Sequence, residues 1–135
     1  MDKGNYTGVL FLDFTKAFDM VNHAILLSKL KAYKFDNIVL KWLSSYLSER
    51  SQKVVMSNWE SSAQNIRYGI PQGSILGPLL FLLYINDLPL YLEYSMSDLY
   101  ADDTTVHCSS CLVSDINYKL NVDLKMFLIG VKITI

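Results

Sequence analysis

The chain has 135 residues, is 51% hydrophobic with a mean hydropathy of +0.22, and carries a net charge of −1 from 12 Lys and Arg against 13 Asp and Glu. That length suits one domain, 1–135, with a real core, and near-neutrality counts against a free-standing nucleic-acid binder, which normally carries a basic excess. The apolar excess points to a buried sheet, or to a piece whose apolar surface meets another piece.

The longest apolar run, Leu79 to Ile85, is broken by Asn86 and Asp87 and is too short to span a bilayer. The start, Met1-Asp2-Lys3-Gly4-Asn5, has no apolar stretch of signal-peptide type. The expectation is an intracellular protein, nuclear or cytoplasmic, with no membrane partner. Cys108 and Cys111 form a Cys-x-x-Cys with no second pair. Zinc needs four ligands, so these read as reduced thiols.

Gly8 to Leu12 is a continuous apolar run, the pattern of a strand buried on both faces, and it ends at Asp13. Asn22 suits an N-cap, and Leu26, Leu27, Leu30 and Tyr33 recur at helical spacing, which predicts a helix over 22–34. His23 falls in its first turn, in a surface or capping role. Asp36 caps a second helix with an apolar stripe of Val39, Trp42, Leu43, Tyr46 and Leu47. Strands are expected at 52–56 and 63–68 around a loop at 57–62, with Arg50 and Lys53 as solvated charge. Residues 68–78 hold three glycines and two prolines, a shaped loop in which glycine lets backbone approach a ligand closely. Leu79 to Leu88 then reads as a buried helix ended by Pro89.

Asp-Asp at 102–103 lies between two β-prone runs, Met96–Tyr100 and Thr104–Cys108, so Ala101 to Asp103 should tip a hairpin. A last helix begins at Ser114, with Ile116, Leu120, Leu124, Phe127 and Leu128 on its core face and Gly130 as its C-cap. Val131 to Ile135 alternates like a strand. The order predicts an α+β fold, an antiparallel sheet with helices packed on one face.

Two adjacent carboxylates repel, and a divalent cation reverses that cost because Mg²⁺ takes hard oxygen ligands. Asp13 ends one strand and the Asp102 pair tips another. If those strands are neighbours, about 4.8 Å apart, the carboxylates can reach a pair of cations about 3.5–4 Å apart, as phosphoryl or nucleotidyl transfer requires.

The segments Phe11-Leu12-Asp13-Phe14-Thr15-Lys16-Ala17-Phe18-Asp19, Gly69-Ile70-Pro71-Gln72-Gly73-Ser74 through Phe81, Tyr84 to Pro89 and Tyr100-Ala101-Asp102-Asp103 resemble the successive palm motifs of reverse transcriptases. The wording, with the Trp42-to-Gln52 spacer, is similar to that of non-LTR (LINE-type) retrotransposons and unlike group II intron relatives. A metal-dependent phosphodiesterase would leave Pro71-Gln72-Gly73 without a role. The resemblance implies a polymerase palm with partial fingers, performing RNA-directed DNA synthesis by two-metal transfer from dNTP to a primer 3′-hydroxyl. It implies Asp13 and Asp102 as principal ligands of Mg²⁺ (or Mn²⁺) and Asp103 as the third catalytic carboxylate. Phe14 would lend its backbone near the triphosphate, and Phe18 would lie under the sugar and exclude a 2′-hydroxyl. Pro71, Gln72 and Gly73 would shape the nucleotide and template pocket, and Tyr100 would lie near the primer end. Lys132 stays unassigned. The implied partners are an RNA template, a DNA primer, dNTPs and the segments of a parent protein holding further fingers and thumb. The alternative is a folded remnant that is non-catalytic without those segments.

Overall fold

The computed structural model describes residues 4–134, with side chains through Val131. In chain order the elements are β1 (Tyr6–Asp13), α1 (His23–Ala32), α2 (Asn37–Leu47), β2 (Ser51–Gln52), β3 (Val55–Met56), β4 (Trp59–Glu60), β5 (Gln64–Asn65), α3 (Leu76–Ile85), β6 (Met96–Tyr100), β7 (Asp103–Ser110) and α4 (Val113–Thr134). Single 3-10 turns cover Ala17–Met20 and Leu88–Tyr91. The chain forms two compact units, one joining the stretch up to Ala17 with that from Ile85 onward, the other Phe18–Tyr84.

In the first unit an antiparallel sheet has the order β1-β7-β6. Its pleat sorts the side chains cleanly. Thr104, Val106 and Cys108 of β7 are buried, and Asp103, Thr105, His107 and Ser109 between them are not. The covered face meets α4, which buries Ile116, Asp123 and Phe127. A Cβ at Gly8 would land inside the Ile116 side chain and 2.9 Å from Leu120 Cδ1, so glycine lets β1 and α4 approach closely. The opposite face is open. Phe11 is 79% exposed and Val9 46%, which corrects the expectation of burial on both faces. The continuous apolar run of β1 is a strand with one face covered and one bare. Both cysteines are free, Cys108 buried and Cys111 exposed.

Three further expectations fail at α4. The helix continues through Gly130 to Thr134, so the expected strand at 131–135 does not form over the described residues, and Ile135 lies outside them. Gly130 is no cap. A Cβ there would meet the Tyr91 ring at 2.6–2.8 Å, so it serves as a contact point for the 3-10 turn that follows α3. Leu128, expected in the core, is half exposed. The 3-10 turn also replaces the expected helix end at Pro89.

Asp123 is fully buried. Its carboxylate accepts the backbone N–H of Glu93 (2.9 Å) and of Tyr94 (3.1 Å), the residues that lead into β6. Burial alone would raise its pKa. The N–H groups of Glu93 and Tyr94, with Ser95 beside them, outweigh burial and hold it below the usual carboxylate value. A depressed folded-state pKa gives stability that is present above the ordinary carboxylate range and is lost as pH falls through the folded value. Asp123→Ala leaves buried donors without acceptors and is expected to cost about 2–4 kcal/mol at pH 7. Urea denaturation at pH 7 and pH 3 should show a steep acid loss in the native protein and a flatter one in the variant.

The second unit follows its sequence at the helix starts. Asn22 Oδ1 accepts from Ala24 N (3.0 Å) and Ile25 N (3.2 Å), and Asp36 Oδ1 from Ile38 N (2.7 Å). Leu26, Leu30, Leu43 and Leu47 are buried, each contributing about 1.5–3 kcal/mol. The α2 stripe is narrower than expected, with Val39 and Trp42 exposed. Residues 51–65 form only two-residue ladders, Ser51–Gln52 with Gln64–Asn65 and Val55–Met56 with Trp59–Glu60. The longer strands expected at 52–56 and 63–68 have no core to cover, since Val55, Met56 and Trp59 all stay exposed. Lys53 pairs with Glu60 at 2.7 Å, and Arg50 lies over the Tyr46 ring. Helix α3 starts at Leu76, earlier than expected, where Ser74 Oγ accepts from Gly77 N at 2.9 Å.

Candidate active site

The ladder between β1 and β7 places Asp13 directly opposite Asp103, and that between β6 and β7 places Tyr100 opposite Asp103 on its other side. One row across three strands therefore carries Asp13, Asp103 and Tyr100. Two residues, Ala101 and Asp102, close the β6–β7 turn. The hairpin tip is thus one residue shorter than expected, with Asp103 inside the ladder. Ala101 sits at φ +52°, a left-handed conformation that costs a non-glycine residue roughly 1–2 kcal/mol. Asp13 and Asp103 are exposed, Asp102 is half-buried, and Tyr100 is 83% exposed.

Directly opposed side chains have Cβ atoms about 4.5–5.5 Å apart, so the oxygens of Asp13 and Asp103 can meet at one cation. Among the described residues no ion pair involves Asp13, Asp102 or Asp103. Nor do three acidic, histidine or cysteine side chains there come together where they could hold a metal ion. Two opposed carboxylates on an open face nevertheless fit Mg²⁺, which commonly takes one or two protein carboxylates and fills its octahedron with water and substrate phosphates. Phe14 follows Asp13. Its ring stacks on Phe127 at 6.3 Å and its carbonyl accepts Ala17 N at 3.2 Å.

The second unit carries the rest of the expected site. Phe18, Pro71, Gln72 and Gly73 line one cavity of about 540 Å³, together with Ser74, Ile75, Gly77 and Pro78. The Phe18 ring lies 4.5 Å from that of Phe81, centroid to centroid, so the helix fixes its orientation. The loop is bound to the 3-10 turn at Ala17–Met20 and the residue after it by backbone hydrogen bonds, Gly69 N to Val21 O at 2.8 Å and Ile70 N to Phe18 O at 2.9 Å. Gln72 Nε2 donates to Asp19 Oδ1 at 3.0 Å.

Sequence reasoning missed two of these fasteners. His23 Nε2 lies 2.7 Å from the Gly69 carbonyl oxygen, which ties the first turn of α1 to the loop and corrects the surface or capping role. Asp19 carries no local signal of its own beyond its place at the end of the Phe11–Asp19 segment. Their partners lie 46 and 53 positions away, beyond the reach of any local pattern.

Residues 1–127 match the family model described as "Reverse transcriptase (RNA-dependent DNA polymerase)". The chain is 39% identical over 116 residues to the probable RNA-directed DNA polymerase from transposon BS of Drosophila melanogaster, covering 81% of this chain and 13% of that protein. It is 40% identical over 110 residues to the probable RNA-directed DNA polymerase from transposon X-element, covering 78% and 12%. It is 36% identical over 113 residues to the RNA-directed DNA polymerase from mobile element jockey, again covering 78% and 12%. Both are from the same fly, and the chain spans about an eighth of the length of these relatives. Among the described residues no helix is long and apolar enough to cross a membrane.

Proposed function

The chain belongs to the reverse transcriptase family, and from that premise we propose that it supplies the catalytic carboxylates and nucleotide pocket of an RNA-directed DNA polymerase, joining a dNTP to a primer 3′-hydroxyl on an RNA template. The observation that carries this reading is the cross-strand register Asp13–Asp103 with Asp102 in the adjoining two-residue turn. Asp13 and Asp102 are the principal ligands and Asp103 the third carboxylate of a Mg²⁺ pair, for which Mn²⁺ can substitute. When bound, such a pair activates the attacking hydroxyl and stabilises the leaving pyrophosphate. The carboxylates hold that charge in place, and without it their mutual repulsion goes uncompensated. Tyr100, next to Asp103, offers an exposed ring to the primer end, and the Phe14 backbone borders the triphosphate.

Phe18, Pro71, Gln72 and Gly73 form the nucleotide side. The Phe18 ring, held by Phe81, sits under the sugar and excludes a 2′-hydroxyl. Phe18→Val should therefore admit ribonucleotides, raising their relative kcat/KM by about ten- to a hundredfold, read by competing labelled dNTP and rNTP in primer extension. The second unit carries seven Lys and Arg against four Asp and Glu, a local basic excess that suits a template backbone and that whole-chain neutrality conceals.

The test is primer extension on an RNA template with dNTPs and Mg²⁺ or Mn²⁺. Metal-dependent extension is the expected result. A folded protein that extends no primer under either ion overturns the reading for this chain.

A further inference from the structure

We infer that Asp19 is a positioning residue for nucleotide selection, holding the Gln72 amide so that its carbonyl oxygen faces the incoming base or sugar. This rests on the reading of the Phe18–Gly73 cavity as the nucleotide pocket. Gln72 lines that cavity, and its Nε2 donates to Asp19 Oδ1 at 3.0 Å. A glutamine amide presents a donor on one side and an acceptor on the other, and the two are interchanged by a half-turn of its last torsion. An ionised carboxylate only accepts. Asp19 therefore admits one of the two orientations, with nitrogen toward Asp19 and oxygen left for the ligand.

The surrounding backbone keeps the two residues in reach. Gly69 N donates to Val21 O and Ile70 N to Phe18 O, one on each side of Asp19. A Cβ at Gly69 would stand 3.0 Å from Asp19 Cα and O, so the two segments are in van der Waals contact. The anchor is thus assembled from a turn and a loop 53 positions apart. Its chemistry is selective. Asparagine at position 19 offers a donor as well as an acceptor and supports both orientations, whereas alanine supports neither.

The experiment has two arms on the same protein. Side-chain amide ¹⁵N–¹H spectra of the native chain and of Asp19→Ala read the contact without any ligand. The Gln72 amide protons should be displaced from free-glutamine positions in the native chain and move toward those positions in the variant. Steady-state primer extension then compares Asp19→Ala, Asp19→Asn, Gln72→Ala and the double variant Asp19→Ala/Gln72→Ala. KM for dNTP should rise about five- to tenfold in Asp19→Ala, more than kcat falls. Asp19→Asn should lie between native and Asp19→Ala. The double variant should match Gln72→Ala alone, because Asp19 acts through that side chain. A purely structural Asp19 would add its effect to that of Gln72→Ala, and that additivity overturns the proposal. An unchanged Gln72 amide overturns it at the contact. An amide shifted in the variant, together with native spectra that no dNTP perturbs, overturns it at the pocket reading instead.

Discussion

Asp102→Asn is expected to lower metal-dependent primer extension at least about a thousandfold while leaving the protein as stable as before. Both signs come from the same geometry. Asp102 occupies the turn next to the Asp13–Asp103 pair, so all three acidic residues belong to one end of a sheet. Among the described residues no Lys, Arg or His forms an ion pair with any of them. Each charge raises the cost of the others until cations arrive. Removing one charge relieves that repulsion, so the unfolding midpoint should hold or rise slightly. It would also remove a proposed ligand from a centre whose electrostatic contribution to the transition state is worth several kcal/mol, hence the large kinetic loss expected. Asp13→Asn should behave alike. Asp98→Asn is the control. Asp98 lies on the same open face but pairs with His107 at 3.5 Å, and its loss should leave extension intact. A thousandfold loss accompanied by unfolding would point to structure instead of metal binding. Extension rates, circular dichroism and urea midpoints on the three variants decide the matter.

The largest expected loss of stability is at Gly69. Its φ of +88° lies where a branched side chain is strained, and a Cβ would press within 3.0 Å of the Asp19 backbone, which has no free end to swing aside. Its N–H donates to Val21 O, and its carbonyl oxygen lies 2.7 Å from His23 Nε2. Gly69→Val is expected to destabilise the protein by about 3–4 kcal/mol, part from backbone strain and part from overpacking. Gly73→Ala is the contrast. Its φ is +79° but nothing lies within 4 Å of the added carbon, so only the conformational term of about 1 kcal/mol remains. Urea denaturation of both variants tests the difference, and equal losses would mean that contact with the Asp19 backbone contributes nothing.

What the sequence made legible is what depends on neighbours in the chain. Asn22 and Asp36 cap the helices after them through bonds two or three residues long. The turn at Ala101–Asp102 follows from acidic residues between two β-prone runs. The expected site residues divide between the two units. Asp13, Asp103 and Tyr100 share one row with Asp102 in the adjoining turn, while Phe18, Pro71, Gln72 and Gly73 line one cavity. Expectations failed where propensity met no packing. Val54, Val55 and Met56 look like a strand, but nothing covers them, and the ladder stops after two residues. At Val131 the five-residue alternation lost to a helix already 18 residues long, which adds one hydrogen bond for each residue it gains. Gly130 looked like a stop signal because a cap glycine and a close-contact glycine are identical in sequence. His23, Asp19 and Asp123 were invisible as fasteners because their partners lie 46, 53 and about 30 positions away.

The pairing of β1 with β7 has a consequence in time. The ladder joins Gly8 to Cys108 and Tyr6 to Ser110, with the whole of Phe18–Tyr84 between them. At a synthesis rate of about 5–20 residues per second, β1 leaves the ribosome roughly 5–20 s before its partner exists. The intervening unit is contiguous, and its helices carry their own caps, so it can fold during that interval. β1 meanwhile presents Val9, Leu10, Phe11 and Leu12 as an unpaired strand, the kind of segment that recruits foreign strands. Completion of the carboxylate row thus waits on the emergence of β7, and the growing polypeptide is most prone to misassociation while β1 has no partner.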